Sequence, residues 1–230
     1  MKAVHVVARD MPDAWYQLNY EILLNGYVYK IDRGSMVGHE RLEFDFVTVQ
    51  IKFPGTRPLV PDIPPGMGID PPTDMEYVES YIEKLVTPNK SKNEVYTYGE
   101  DLSKQVPEVI RMYKEQGFNT NQAFMAVGNA ESIEYDDPQC LRAVDTRVRY
   151  GKLHFILYFR SWDLWNGFPA NLAGLQLLKE DMADQLGVGD GQIIASSKGL
   201  HLYDYCWDHA KCRTNQDITD EQLRQRTNEG

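Results

Sequence analysis

Residues 153–171 read LHFILYFRSWDLWNGFPAN, and this stretch decides the class of fold. The apolar run 153–159 predicts a strand that delivers Arg160 and Ser161 at its end. A loop with glycine and proline follows, and apolar residues spaced along one side predict a helix over 171–186. A strand, a polar loop and a helix in succession are typical of a domain that packs helices against a sheet.

The segments on either side continue this mixture without a regular βαβ period. Period-two alternation and turn residues predict further strands at 3–8, 42–53, 123–127, 143–149 and 193–205. Helical spacing predicts helices at 14–24, 73–86 and 103–116. The segment 54–72 carries seven prolines and three glycines, which predicts an irregular surface loop. The sequence therefore predicts an α+β fold with one large sheet.

Charge and composition restrict the function. The 230 residues carry 24 basic and 34 acidic side chains, a net charge of −10 that repels nucleic acid and anionic membranes. No apolar run approaches the ~20 residues of a transmembrane helix. The length predicts one domain over 1–212 and a polar tail, 213–230, that is a frayed helix or disordered. Cys140, Cys206 and Cys212 form no disulfide framework and the chain begins without a signal pattern, which predicts a reduced, cytoplasmic protein.

Cys140 is the first candidate for chemistry. It follows the loop DDPQ at the predicted start of a strand, where a side chain is exposed at a sheet edge. Arg142 lies two residues on, so the two side chains share a strand face and the arginine would favour the thiolate. The alternative is a buried core cysteine, which is the commoner environment of a lone cysteine.

Polar side chains near two strand ends form a second group of candidates. Arg160 and Ser161 both donate hydrogen bonds and suit a phosphate clamp. Asn171 stands at a predicted helix start, where an N-cap is the alternative to a ligand contact. His201 and Tyr203 are two apart in a strand and share a face, so they either bind a sugar hydroxyl or form a half-buried pair.

Glu79 is a candidate because of its place in the predicted helix 73–86, which opens with the capping-box pattern TDME. It falls four residues after Met75 and three before Ile82, within the apolar face. A carboxylate on a buried face is costly unless it is paired or functional. Glu79 is therefore either a catalytic carboxylate or the partner of an arginine.

Several kinds of site have no support in the sequence. There is no Walker loop and no glycine-rich dinucleotide motif after a strand. The histidines and cysteines lack metal-ligand spacing, so no metal is expected. A hydrolase built from Cys140, His201 and Asp163 is not supported by spacing.

Taken together, five motifs resemble the thymidylate synthase family, and its short archaeal-type members most closely. In chain order they are Asp32-Arg33-Gly34-Ser35, Tyr98-Gly99, Pro138-Gln139-Cys140, Arg160-Ser161-x-Asp163-x-x-x-Gly167-x-Pro169-x-Asn171 and His201-x-Tyr203. The fourth motif, downstream of a Pro-x-Cys, is quite specific, whereas each of the others is weak alone. The set favours a catalytic role for Cys140 over a structural one.

The resemblance implies a three-layer α/β/α-like fold around a mixed sheet and a homodimer formed through the sheet face. It implies reductive methylation of dUMP at C5 to dTMP, with 5,10-methylenetetrahydrofolate or a related reduced pterin as co-substrate. A cysteine suits this reaction, because C5 of uracil is a poor nucleophile until a thiolate adds to C6. Neither a metal, a nucleic acid nor a membrane is implied.

The same resemblance assigns a role to each motif residue. Cys140 is the nucleophile, and Arg160 holds the phosphate and helps to keep the thiol ionised. The other roles are phosphate binding by Arg33 and Ser161, contact with base and pterin by Asp163, pyrimidine reading by Asn171, 3′-hydroxyl binding by His201 and Tyr203 and water orientation by Tyr98. Outside the motifs, the phosphate either is held by fewer cations than in the family or gains Arg142 as a substitute. Glu79 is chosen for proton transfer because of its predicted buried face. Asn171 favours uracil because its amide accepts from N3–H and donates to O4, a pattern that cytosine inverts.

The sequence departs from the family at several places. Thr120-Asn121-Gln122 stands where many members have a Ser-Arg-Arg stretch that reaches the partner's phosphate. Leu141 replaces the usual histidine, Phe159 replaces a glutamine, and the polar chain end lacks the apolar segment that closes over folate. Two alternatives therefore stay open: a hydroxymethylase acting on dUMP, dCMP or CMP, and a non-catalytic nucleotide- or RNA-binding relative.

Overall fold

Strands and helices alternate irregularly along the residues that the computed structural model describes, 1–92 and 94–226. The strands are β1 (Ala3–Ala8), β2 (Tyr27–Lys30), β3 (Glu40–Glu43), β4 (Phe46–Ile51), β5 (Phe124–Ala126), β6 (Leu141–Arg149), β7 (Lys152–Phe159), β8 (Trp162–Asp163), β9 (Gly189–Ser197) and β10 (Leu200–Tyr203). The helices are α1 (Met11–Asn25), α2 (Met75–Val86), α3 (Gly99–Gln116), α4 (Gly167–Leu186), α5 (Trp207–Thr214) and α6 (Asp220–Arg224).

The strands form two sheets. The larger sheet has the order β1-β4-β9-β7-β6-β5, and the smaller has the order β2-β3-β10-β8. Parallel pairs (β1 with β4, β7 with β9) alternate with antiparallel ones in the larger sheet. The predicted α+β class with a mixed sheet and flanking helices is confirmed, and the second sheet is an addition to it.

Two of the predicted strands are each broken into a pair of strands that belong to different sheets. Residues 42–53 contain the end of β3 and all of β4, and residues 193–205 contain most of β9 and all of β10. The buried Phe44 lies at the first break, where its amide donates to the carbonyl of Leu200 at 3.2 Å. Alternation through Leu42, Phe44 and Phe46 conceals the first break, and Gly199 at the second does not by itself predict a change of sheet.

Three helices begin earlier than predicted, and a fourth begins without its predicted cap. Helix α1 starts at Met11, α3 at Gly99 and α4 at Gly167. The predicted start of α4 was wrong because Gly167 and Pro169 indicate a loop, although proline is tolerated in a first helical turn. Helix α2 is capped by Asp74, which accepts from the Tyr77 amide at 2.8 Å, so Thr73 is not the cap.

Helix α4 is the centre of the core. It contacts α1, α2 and α3 and lies on strands β7 and β9 of the larger sheet. Its side chains are buried on nearly all sides, as expected for a helix enclosed by other elements. No helix of residues 1–92 and 94–226 is long and apolar enough to cross a bilayer.

Within residues 1–92 and 94–226, no helix packs on the opposite face of the larger sheet. Strand β7 buries Leu153, Phe155 and Leu157 toward the helices, whereas its alternate side chains point outward and are partly exposed. One face of the sheet is therefore core and the other is accessible in this chain.

The segment after residue 212 is packed against the fold as far as it is described. Helix α5 runs through this position, and Leu223 of α6 belongs to the core. The Arg224 guanidinium lies 5.4 Å from the Trp207 ring and pairs with Glu40. The expectation of a frayed or disordered tail is wrong for 213–226, and 227–230 lie outside the described residues. The division of the chain at 212 stays a prediction.

Candidate active site

Cys140 stands immediately before β6, where the pairing of β6 with β7 places it beside Arg160. Its carbonyl accepts from the Arg160 amide at 2.8 Å. The side chain is half-buried and its thiol hydrogen-bonds Tyr96. Burial raises the pKa of the Cys140 thiol, Arg160 opposes this rise and Asp137 reinforces it. The free thiol is therefore predominantly protonated at neutral pH.

The side chain of Arg160 is already engaged by the loop before Cys140. Its Nη2 donates to Asp137 Oδ1 at 2.8 Å, and its Nε donates to the carbonyl of Pro138 at 3.1 Å. Ser161, next along the chain, is half-buried. The predicted position of Arg160 and Ser161 at a strand end is consistent with the structure, but the Arg160 guanidinium is already paired with the Asp137 carboxylate.

Arg142 is placed differently from the expectation. The β6–β7 register slips between Leu141 and Ala143, so Arg142 is the extra residue of a bulge. Strict alternation fails at a bulge, and the argument that Arg142 shares a face with Cys140 fails with it. Arg33 lies exposed in the loop between β2 and β3. Within 1–92 and 94–226, no hydrogen bond or ion pair joins Arg33 or Arg142 to the Cys140–Arg160 pair.

A cavity of about 320 Å³ is bounded in part by Asp137, the ion-pair partner of Arg160. Its lining residues include Tyr77, Tyr81, Tyr96, Tyr98, Asp137 and Asn171. The Tyr98 hydroxyl accepts from the Leu141 amide at 3.4 Å, which places it next to the cysteine. Burial raises the pKa of Tyr81, Tyr96 and Tyr98 above the ordinary tyrosine value, so all three phenols stay protonated at neutral pH.

Asn171 lies in the first turns of α4 and its side chain is held at both ends. The Trp162 indole Nε1 donates to Asn171 Oδ1 at 3.1 Å. Asn171 Nδ2 donates to the Tyr81 hydroxyl at 2.9 Å. The helix begins at Gly167, so the alternative that Asn171 is an N-cap is wrong.

Asp163 lies at the end of β8, on the wall of a second cavity of about 510 Å³ that Asn171 also lines. Its Oδ1 accepts from the amide of Trp165 at 3.0 Å, and its Oδ2 accepts from Asn166 Nδ2 at 3.2 Å. Burial raises the pKa of Asp163, and these hydrogen bonds oppose the rise. The carboxylate thus fixes the entry to α4 and also faces open space.

His201 and Tyr203 share one face of β10, as predicted, with ring centroids 4.6 Å apart. His201 Nδ1 donates to the Gly199 carbonyl at 2.8 Å, since a carbonyl can only accept. Burial lowers the His201 pKa to about 4, so the ring is neutral and Nε2 is a bare acceptor. Nε2 is buried and has no hydrogen-bond partner among the described residues. Burial raises the pKa of Tyr203 to about 12.

Two charged residues of β3 complete this face. Glu43 lies opposite His201 and Arg41 lies opposite Tyr203 in the β3–β10 pairing. Arg41 Nε and Glu43 Oε2 form an ion pair at 2.8 Å, and burial raises the pKa of Glu43 to about 7. The sequence analysis missed this pair, although the alternation of Arg41 and Glu43 around the buried Leu42 indicates a polar strand face.

Glu79 is exposed, so the prediction that it lies on a buried face is wrong. Helix α2 buries Val78, Tyr81 and Leu85 instead. Successive helical residues turn by about 100°, and Glu79 lies at the edge of the apolar arc, beside the exposed Val86. Helix α2 therefore turns Tyr81, and not Glu79, toward the site.

Besides Arg41 and Glu43, four residues of the site were not predicted from the sequence: Tyr81, Tyr96, Asp137 and Trp162. Tyr81 has helical spacing from Val78, and Trp162 stands inside the Arg-Ser-x-Asp motif, but neither position shows from sequence which group it contacts. No cluster of three His, Cys, Asp or Glu side chains suited to a metal ion occurs in the described part of the chain.

Comparison with known families bears directly on this arrangement. The family model described as Thymidylate synthase matches residues 83–228, a span that contains Cys140, Arg160, Asn171 and His201. The chain belongs to the thymidylate synthase family. The match begins after Arg33 and Glu79, so it does not extend to them.

Archaeal relatives extend the similarity over most of the chain. A protein of Methanococcoides burtonii named "Putative thymidylate synthase" is 31% identical over 211 residues, covering 88% of this chain and 91% of its own. Proteins of the same name are 30% identical in Methanosarcina acetivorans, covering 87% of this chain and 90% of their own, and 27% identical in Methanothermobacter thermautotrophicus, covering 91% and 97%. The predicted resemblance to this family and its archaeal members is confirmed.

Proposed function

We propose that the protein is a thymidylate synthase, a methyltransferase that converts dUMP to dTMP by reductive methylation at C5. The observation that carries the proposal is the half-buried Cys140 thiol beside Arg160, whose partner Asp137 lines a cavity together with Asn171. A nucleophile, a cation and an amide that distinguishes pyrimidines are the groups that a uracil nucleotide requires.

Cys140 is the proposed nucleophile. Its sulfur forms a bond to C6 of the uracil ring, and the ring electrons move onto O4 to give an enolate with carbanion character at C5. C5 then attacks the one-carbon unit and loses its proton to solvent. A hydride delivered to the one-carbon unit completes the methyl group, and release of the thiolate from C6 restores the C5–C6 double bond of the ring. Arg160 is the cation that favours the thiolate, because it opposes the effect of burial on the Cys140 pKa.

Arg160 and Ser161 are proposed to hold the phosphate, with Arg33 and Arg142 as further candidates. A guanidinium binds a phosphate through paired hydrogen bonds. Asp137 occupies this position in the free protein, so the phosphate would exchange with one exposed carboxylate. A local cation of this kind reconciles an anionic substrate with a chain of net charge −10.

The sugar and base are assigned to the remaining polar groups. His201 is proposed to accept from the 3′-hydroxyl through its unpartnered Nε2, with Tyr203 beside it as donor. Asn171 is proposed to read the pyrimidine edge. Tyr98 is proposed to orient water for proton transfer, because burial keeps its phenol protonated. The exposed position of Glu79 speaks against the proton-transfer role that the sequence suggested.

The second cavity fits a reduced pterin. Asp163 offers a carboxylate that could accept from pterin N–H groups, and the ring of Tyr77, stacked with Tyr81, forms an aromatic wall. When bound, 5,10-methylenetetrahydrofolate or a related pterin supplies the one-carbon unit and the hydride. The residues of this chain orient the two substrates and exclude water.

We also propose that the protein is a cytoplasmic homodimer. Its three cysteines are free, which suits a reducing compartment. The outer face of the larger sheet carries partly exposed apolar side chains, among them Val7, Phe124 and Ile156, and an apolar face of this kind is typical of an interface. Sedimentation equilibrium should give twice the chain mass of 26.5 kDa.

Product analysis tests the reaction. The protein is incubated with dUMP, dCMP or CMP, each with 5,10-methylenetetrahydrofolate, and the masses of the nucleotide products are measured by mass spectrometry. A methyl group on dUMP alone is expected, with no product from Cys140→Ser. A hydroxymethyl product would contradict methylation and identify a hydroxymethylase, and binding of dUMP without turnover would favour a non-catalytic relative.

A further inference from the structure

The side-chain amide of Asn171 is held between two groups of different hydrogen-bonding character. Trp162 contacts its oxygen at 3.1 Å and Tyr81 contacts its nitrogen at 2.9 Å. An indole N–H can only donate, whereas a phenol can donate or accept. The Tyr81 hydroxyl is therefore compatible with either end of the amide, but the Trp162 indole is compatible with the oxygen alone.

Trp162 has little freedom to turn away. Its side chain is 2% exposed, and its ring stacks on Phe159 with centroids 3.9 Å apart and planes inclined by 5°. Phe168 packs against it with centroids 4.6 Å apart. The indole N–H thus stays pointed at Asn171, and a flipped amide would set two donors against each other in a buried position.

We propose that Trp162 is a positioning residue that sets pyrimidine specificity by fixing the orientation of the Asn171 amide. This inference rests on the proposed function and deepens it. Beyond its two contacts, the amide keeps one acceptor position on Oδ1 and one N–H on Nδ2. This pair matches N3–H and O4 of uracil, whereas N3 and the amino group of cytosine require the flipped amide.

Two matched variants separate orientation from contact. Trp162→Phe retains an aromatic ring for the stack but removes the N–H, so Tyr81 can satisfy either orientation of the amide. The ratio of dCMP to dUMP dissociation constants, measured by calorimetry, should fall by about tenfold. Tyr81→Phe removes the other contact but leaves the indole in place. It should weaken both nucleotides alike and keep the ratio within about twofold.

The outcomes distinguish the inference from the function on which it rests. An unchanged ratio in Trp162→Phe, or an equal fall in Tyr81→Phe, overturns the inference and leaves thymidylate synthesis intact. Failure of the unaltered protein to bind dUMP removes the proposed function and the inference together.

A measurement on the free protein keeps the test independent of nucleotide and of the folding of Trp162→Phe. The Trp162 indole proton is followed by hydrogen exchange in NMR spectra of the unaltered chain and of Asn171→Leu. Loss of its acceptor should accelerate the exchange by about tenfold. Equal rates in the two proteins would show that the indole is not bonded to Asn171, which contradicts the inference.

Discussion

The segment 140–171 contributes Asn171, and helix α2 contributes Tyr77 and Tyr81, to the wall of one cavity. The two regions hold their side chains by different means. In the segment, Cys140 is fixed by a backbone hydrogen bond to Arg160 at the end of a strand pair. In α2, Tyr81 is held by one side-chain contact and by the close approach of α2 to α4 at Gly174, where a Cβ atom would lie 2.8 Å from the Tyr81 ring. The proposed nucleophile is thus fixed by the backbone at the end of a strand pair, whereas Tyr81, which contacts the proposed base-reading residue Asn171, is fixed by the rotation of a helix about its axis.

The largest effect should come from the segment. Cys140→Ser should lower kcat for dUMP by at least about a thousandfold, because a hydroxyl at this position is a far poorer nucleophile than a thiolate. Calorimetry should still detect dUMP binding, since Arg160 and Asn171 remain. Cys212→Ser, at an exposed position, is the control and should keep full activity. If Cys140→Ser retained its activity, Cys140 would not be the nucleophile, and the segment would differ from α2 in packing alone.

Substitutions in helix α2 should lower activity less, by an amount that depends on whether the helix turns that side chain toward the cavity. Tyr81→Phe should lower kcat/KM for dUMP by about tenfold, because Asn171 loses one of its two contacts. Glu79→Gln should change it by less than about twofold, because its side chain is exposed. The reverse order in steady-state assays would mean that α2 presents the glutamate to the substrate.

Asp137 offers a finer test of the segment through the pH dependence of thiol alkylation. Its negative charge disfavours the thiolate and so raises the Cys140 pKa, whereas Arg160 lowers it. Asp137→Asn should therefore move the midpoint of the iodoacetamide rate to lower pH, and most clearly at low salt. Arg160→Gln should move it upward, and a shift of the same sign in both variants would refute this electrostatic account.

The smallest effect concerns the start of α2. Asp74→Ala should lower the free energy of unfolding by about 1 kcal/mol, because the Tyr77 amide loses its cap. Thr73→Ala should lower it by a few tenths at most, since Asp74 alone caps the helix. Urea unfolding of the two variants measures both values, and a larger loss in Thr73→Ala would restore the capping box that the sequence suggested.

The same two regions explain what could be predicted from the sequence. Arg160 and Ser161 follow an apolar run, and a strand end fixes their place without knowledge of the rest of the fold. The prediction for Glu79 was wrong because Glu79 directly follows Val78, and one helical position is enough to move a side chain from the centre of the buried face to its edge. Only the packing of α2 against α4 decides that Tyr81, and not Glu79, faces the site. The break after β3 could not be predicted because the alternation of Leu42, Phe44 and Phe46 continues while the sheet changes. After β9, Gly199 indicates an interruption but not that the next strand joins another sheet.

The contact between Trp162 and Asn171 could not be predicted by any pattern of spacing. It joins a strand residue to a helix residue nine positions later, across a turn whose length the sequence misjudged. The Arg-Ser-x-Asp motif assigns no role to its variable position, and Trp162 occupies that position.

The raised pKa of Cys140 has a consequence for the lifetime of the protein. Peroxide and electrophiles react with the thiolate and hardly with the thiol. A cysteine that burial keeps protonated is therefore protected from sulfenic acid formation in the free protein. The burial that raises the pKa of Cys140, the proposed nucleophile, thus also protects the thiol against oxidation.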